Sequence, residues 1–193
     1  MKIVMLVGSL RKNSFNRFLA HTIQERYKNQ LDIEIAEIGG LPHYNQDDEL
    51  NPPEPVRRFK KQIADADGVV IVTPEYNWSI PGVLKNALDW LSRVDKVLID
   101  KPVMTAGASP TALGTVRAQL HLRQILSAPG VSAKVLPPGG NEVLVNFADQ
   151  KFDASGRLLD EGTLEFLDGI MEKFKRWIEE NKEGYAQPKQ FKK

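Results

Sequence analysis

Two stretches of this chain concentrate side chains that can do chemistry, and each follows a short apolar run. The first is Gly8-Ser9-Leu10-Arg11-Lys12-Asn13-Ser14-Phe15-Asn16. Ser9, Ser14 and Asn16 offer short polar groups, and Arg11 is a forked cation suited to a phosphate. A helix beginning here would add free backbone N–H groups and the positive end of its macrodipole. The loop lacks the Gly-Lys-Ser/Thr ending of a nucleoside triphosphate loop, and it lacks Gly-x-Gly-x-x-Gly. A monophosphate held by hydroxyls, amides and one arginine is therefore the better match. The competing reading is an ordinary capped helix with a surface arginine.

The second stretch is Thr73-Pro74-Glu75-Tyr76-Asn77-Trp78-Ser79-Ile80-Pro81-Gly82. Two prolines stiffen it, and between them lie two aromatics, an acid and an amide. A planar heteroaromatic ring could rest on such a ledge, its edge read by backbone groups. The alternative is a turn whose Tyr76 and Trp78 are simply core.

The elements that must position these loops can be read from periodicity. Ile3 to Val7 is a continuous apolar run stopped by Gly8, as expected of a strand buried on both faces of a parallel sheet. From Ser14 to Lys28 the period becomes helical, with Ser14 as N-cap. Asp32 to Ile38 reads as a weaker strand, Gly39 to Pro55 as a long surface loop, and Val56 to Ala66 as a polar helix. Val69 to Val72 is a second buried strand. Ile80 to Leu91 is a helix with Pro81 in its first turn. Pro102 to Ala108 is a strand, Gly114 to Leu126 a helix and Ala133 to Leu136 a short strand, followed by the turn Pro137-Pro138-Gly139-Gly140. Leu164, Leu167, Met171, Phe174 and Ile178 mark a final helix.

Strands alternating with helices imply an α/β fold with a parallel sheet covered on both faces. Five strands and five helices suggest a flavodoxin-like three-layer sandwich with strand order 2-1-3-4-5. In that order the ligand crevice opens beyond the carboxyl ends of the first and third strands. The two unusual loops follow those two strands, so position and composition agree.

Composition narrows the function classes. The 193 residues are 41% hydrophobic and 26% charged, values of a globular chain. We expect one domain over 1–183 and a polar, frayed tail over 184–193. There are 26 basic and 25 acidic residues, and Lys189, Lys192 and Lys193 supply three of the positive charges. So neutral a body has no electrostatic case for nucleic acid or an anionic membrane as main partner. The lack of cysteine excludes disulfides, thiolate metal sites and thiol nucleophiles. It fits a cytoplasmic setting. The apolar run near the N-terminus is five residues, shorter than the ~7–15 of a signal peptide core.

The motifs Gly8-Ser9-x-Arg11-x-x-Ser14-x-Asn16 and Thr73-Pro74-Glu75-Tyr76-Asn77-x-Ser79-x-Pro81-Gly82-x-Leu84-Lys85-Asn86-Ala87-x-Asp89-Trp90 resemble the NADPH-dependent FMN reductase family of flavodoxin-like proteins. Quinone reductases, chromate reductases and azoreductases of this type belong to it. Gly107-Ala108-Ser109 and Gly114-Thr115-x-Arg117 are similar to the family's third loop and the helix after it. The likeness runs from Met1 to about Ile178, with no departure at these positions.

The resemblance implies roles. Ser9, Arg11, Ser14 and Asn16 would hold the FMN phosphate. Pro74, Glu75, Tyr76 and Asn77 would line the isoalloxazine, mostly through backbone, and Ser109 would close the other side near the ribityl chain. NAD(P)H would be the hydride donor, and a quinone-like, azo, chromate or flavin molecule the acceptor, taken in turn by a ping-pong mechanism. The cofactor carries the chemistry, so no side-chain acid or base is required. The family also implies a homodimer or homotetramer, with the Ile80–Leu91 and Gly114–Leu126 helices at the interface. A non-enzymatic, flavodoxin-type electron carrier is the alternative, although such carriers are usually strongly acidic. A nucleotide-binding regulator without flavin is a third reading.

Other polar residues read as structural. His21, His43 and His121 have no partner at metal or triad spacing. Asp47, Asp48 and Glu49 form a solvated acidic run. Asp89 and Trp90 are assigned to packing and capping, and Lys85 and Arg93 are left without a role.

Overall fold

The computed structural model describes residues 1–185. The strands are β1 Lys2–Val7, β2 Asp32–Ala36, β3 Gly68–Val72, β4 Pro102–Ala108, β5 Lys134–Val135 and β6 Val143–Val145. The helices are α1 Phe15–Tyr27, α2 Glu54–Ala64, α3 Gly82–Leu91, α4 Val116–Leu126, α5 Ala148–Lys151 and α6 Glu161–Tyr185. The sheet is wholly parallel in the order β2-β1-β3-β4-β5, and β6 also pairs with β4.

The expected fifth strand is thus two pieces on one neighbour. β5 pairs with Pro102 and Val103 at the start of β4, and β6 pairs with Ala106 to Ala108 at its end. Between them the chain leaves the sheet through Pro137-Pro138-Gly139-Gly140. Proline cannot donate to a ladder, and both glycines adopt positive φ, so the strand is broken there.

Alternation along the strands builds the two cores. Ile3, Met5 and Val7 of β1 face α1 and α6, in a cluster with Leu19, Ile23, Leu167 and Phe174. Val4 and Leu6 face α2, α3 and α4, among Phe59, Ile63, Leu84, Leu88 and Leu122. Burial on both faces explains why β1, β3 and β4 are apolar throughout.

Several boundaries differ from expectation. α2 runs Glu54–Ala64 rather than Val56–Ala66, so Glu54 and Pro55 belong to the helix and not to the loop before it. α3 starts at Gly82, with Pro81 outside it as the N-cap residue. α4 starts at Val116, after Thr115 in a left-handed conformation (φ 69). α6 continues through Tyr185, so Gly184 and Tyr185 are helical; the rest of the expected tail, 186–193, lies outside the described residues. The loop over 39–53 contains one 3-10 turn, Gln46–Asp48. It is tied down the side of α3, where Asn86 and Trp90 both donate to the Pro42 carbonyl at 2.9 Å.

Candidate flavin site at the carboxyl edge of the sheet

The first and second loops meet as expected. Gly8 N–H donates to Val72 O, which joins the start of the first loop to the end of β3. Ser9 and Ser14 are 3% and 5% exposed, and neither hydroxyl makes a hydrogen bond among the described residues. Ser14 occupies the N-cap position of α1 without capping through its side chain. The first intrahelical bond is Phe18 N–H to Ser14 O, so the N–H groups of Phe15, Asn16 and Arg17 lack intrahelical partners. Arg11 is exposed and forms no ion pair among the described residues. Two uncommitted hydroxyls, a helix N-terminus and a free guanidinium are the donor set a phosphate monoester requires.

Asn16 behaves otherwise. Its side-chain amide donates to Ala108 O and accepts from Ala108 N–H, both at 2.9 Å. The side chain assigned to a phosphate is clasped to the end of β4, and its backbone N–H lacks an intrahelical partner. Ser109 is likewise committed. Its hydroxyl lies 2.9 Å from that of Thr111, and its backbone bridges to Val145 and Ala148.

The second loop is a hairpin. Tyr76 and Ser79 exchange backbone hydrogen bonds at 2.9 and 3.0 Å around Asn77 and Trp78. Both central residues have positive φ, 50 and 64, the signature of a type I′ turn. Tyr76 is 51% and Trp78 71% exposed, which rules out a core role for either. Pro74 is buried and Asn77 exposed.

Glu75 lies between the loop and the next layer. Its carboxylate accepts from Arg117 Nε at 2.7 Å, from Arg117 N–H at 3.0 Å and from Ala118 N–H at 3.2 Å. It therefore caps α4, where a negative charge opposes the helix dipole. The Arg117 guanidinium in turn sits 4.8 Å from the Trp78 ring centroid. Ser79 Oγ is 2.8 Å from His121 Nδ1, which gives that histidine an anchoring role. Gly107 admits this packing, because a Cβ there would stand 1.9 Å from Thr115 Oγ1 and 2.6 Å from Thr73 O.

Sequence reading missed Arg117 and His121 as partners of the second loop. The i, i+4 spacing of Arg117 and His121 puts both on one face of α4 and was the available signal. Lys85 pairs with Asp89 at 2.7 Å, and Arg93 lies over the Tyr44 ring. Among the described residues no helix is long and apolar enough to cross a membrane.

A doubly wound parallel sheet in this order, with a phosphate-type cradle after β1 and a ring-bearing ledge after β3, defines a flavodoxin-like protein. The model of the NADPH-dependent FMN reductase family matches residues 1–150. A 2-hydroxy-1,4-benzoquinone reductase of a Burkholderia species is 42% identical over 184 residues, covering 94% of this chain and 98% of that protein. A quinone reductase of Escherichia coli K12 is 40% identical over 183 residues, covering 93% and 96%. The solved structure of the flavoenzyme NAD(P)H:(acceptor) oxidoreductase FerB from Paracoccus denitrificans superposes with a TM-score of 0.83 at 36% identity, covering 93% of this chain and 98% of that one. The chain belongs to the NADPH-dependent FMN reductase family. It is an oxidoreductase that uses FMN with NAD(P)H as electron donor. The uncommitted hydroxyls of Ser9 and Ser14 beside the α1 N-terminus fit the phosphate of that cofactor.

Proposed function

We propose that this protein reduces quinone-like rings with NAD(P)H in a ping-pong sequence at one open face of FMN. The observation that carries this reading is the juxtaposition of a phosphate cradle, with two uncommitted serine hydroxyls, and an exposed aromatic hairpin on the neighbouring strand end. The Burkholderia and Escherichia coli relatives, both quinone reductases, support quinones as the acceptor class.

Ser9, Ser14, Arg11 and the first-turn N–H groups of α1 hold the phosphate, Asn16 contributing through its backbone. The backbone of Pro74, Glu75, Tyr76 and Asn77 lines the ring, and Ser109 closes the far side near the ribityl chain. Bound FMN supplies a two-electron carrier between donor and acceptor. The sum balances as NAD(P)H, a proton and a quinone giving NAD(P)⁺ and a hydroquinone. Solvent delivers the proton at so open a site. Glu75 is unsuited to that task, because three N–H groups already occupy its carboxylate.

The same reading makes the protein a cytoplasmic homodimer or homotetramer, assembled through α3 and α4. Leu120, exposed on α4, is apolar surface such a contact would cover. A pure electron carrier, the alternative, would be expected to be strongly acidic, whereas this chain is close to neutral.

The absorption spectrum and steady-state kinetics of the purified protein test this reading. A two-band flavin spectrum and parallel double-reciprocal lines with NAD(P)H and benzoquinone are expected. A colourless protein that binds no added FMN would overturn it, and intersecting lines would overturn the single-face sequence. A stable, active monomer in sedimentation at micromolar concentration would remove the oligomer.

A further inference from the structure

Trp78 is the most conspicuous residue that the reaction so far leaves unused. It is a large aromatic, 71% exposed, in the second central position of a type I′ turn at φ 64. Glycine is the residue favoured there, and a bulky side chain at positive φ is strained. Strain of this kind persists only where the surroundings over-determine it, and it concentrates at functional sites.

The surroundings do over-determine it. Both arms of the hairpin are clamped to α4, one through Glu75 to Arg117 and Ala118, the other through Ser79 to His121. Arg117 backs one side of the indole. The indole lies against Arg117 with most of its surface open to solvent, in the loop that would line the flavin ring. Because Arg117 is paired with Glu75, the patch is close to neutral. That suits an uncharged planar ring better than the phosphate-bearing arm of a dinucleotide.

We propose that Trp78 determines acceptor specificity, its indole serving as a preorganised platform on which a planar, uncharged quinone stacks before reduction. This rests on the reading of the site given above. An aromatic contact of this kind changes affinity by a modest factor, so the platform acts on acceptor KM more than on turnover.

The test compares wild type, Trp78→Gly and Trp78→Phe as FMN-loaded proteins, using NADPH with p-benzoquinone and, separately, with ferricyanide, a small non-aromatic oxidant. Glycine relieves the turn, so Trp78→Gly is expected to raise Tm by about 2–4 °C. Its benzoquinone-to-ferricyanide ratio of kcat/KM is expected to fall about three- to tenfold, through benzoquinone KM. Trp78→Phe should restore most of the ratio. An unchanged ratio in Trp78→Gly, or equal losses in the glycine and phenylalanine variants, would overturn the proposal. So would a fall in Tm, or a loss that tracks a changed sedimentation coefficient, which would make Trp78 a contact between copies. Failure of the wild type to oxidise either NADPH or NADH with ferricyanide would instead sink the reductase reading itself.

Discussion

Asn16 and Ala108 exchange two hydrogen bonds of 2.9 Å, one in each direction, between the first turn of α1 and the last residue of β4. This clasp holds the first and third loops at a fixed separation across the crevice. Asn16 is buried, so its amide has no access to solvent as a substitute partner.

The clasp predicts a loss that does not discriminate between phosphorylated and unphosphorylated flavin. In Asn16→Asp the donor to Ala108 O becomes an acceptor facing a carbonyl, in a buried site. An unsatisfied buried polar group costs about 1–3 kcal/mol, so Tm should fall by roughly 2–12 °C. Titration calorimetry should find FMN and riboflavin affinities reduced by similar factors. A loss confined to FMN would mean that the side chain reaches the phosphate after all.

Arg11 predicts the opposite selectivity. Its guanidinium is exposed and unpaired among the described residues, so Arg11→Ala should leave Tm unchanged. FMN affinity should fall by about 1.5–3 kcal/mol, the scale of a hydrogen bond to a charged group. Riboflavin affinity should be insensitive, and equal losses for both ligands would make Arg11 structural.

These two residues also mark how far the sequence can be read. Ile3–Val7 and Val69–Val72 were legible because burial on both faces leaves uninterrupted apolar runs. The short strand Lys134–Val135 was legible within Ala133–Leu136, but the second piece, Val143–Val145, was not, because three residues are too short to carry a period and they form a strand only against β4. The site loops stood out by composition and by their place after β1 and β3. What composition could not reveal was how side chains are spent. Asn16 meets Ala108 from 92 residues away, and Glu75 meets Arg117 from 42. Both pairings arise only once the strand order has brought the loops together. The exposure of Tyr76 and Trp78 has the same origin, since it follows from a turn clamped to a helix far along the chain.

Lys101 predicts a pH dependence of stability. It is 0% exposed, at the start of β4, and its Nζ donates to Ala64 O and Ala66 O at the end of α2. Burial pushes its pKa down to about 7, against partial compensation from Asp67 and Asp65. For a base with a depressed pKa, the unfolded chain binds more protons between that value and the ordinary one near 10.5. Stability should therefore rise with pH from about 7 upward. Lys101→Met removes the titration, so the difference in Tm between wild type and variant should shift in favour of wild type from pH 7 to 9.5. A difference that is constant over this range would show that the lysine stays charged in the folded protein.

Glu75 is the one acid in the ring-binding loop and so the natural candidate for delivering a proton to the acceptor. The geometry assigns it another task. Its carboxylate accepts three N–H groups at the start of α4, and its side chain is largely buried there. A proton donor would have to surrender the charge that caps the helix and pairs with Arg117. Glu75→Gln keeps the size and one acceptor oxygen but loses the charge, so the loop should be held less firmly. FMN affinity is then expected to fall by about 1–2 kcal/mol, the scale of a lost helix cap. With FMN saturating, kcat should stay within about tenfold of wild type, whereas loss of general acid–base catalysis typically costs ~10²–10⁴. Stopped-flow measurement of each half-reaction separates the two cases. A slowing of a hundredfold or more confined to acceptor reduction, with FMN fully bound, would make Glu75 the proton donor and break the assignment of its carboxylate to α4.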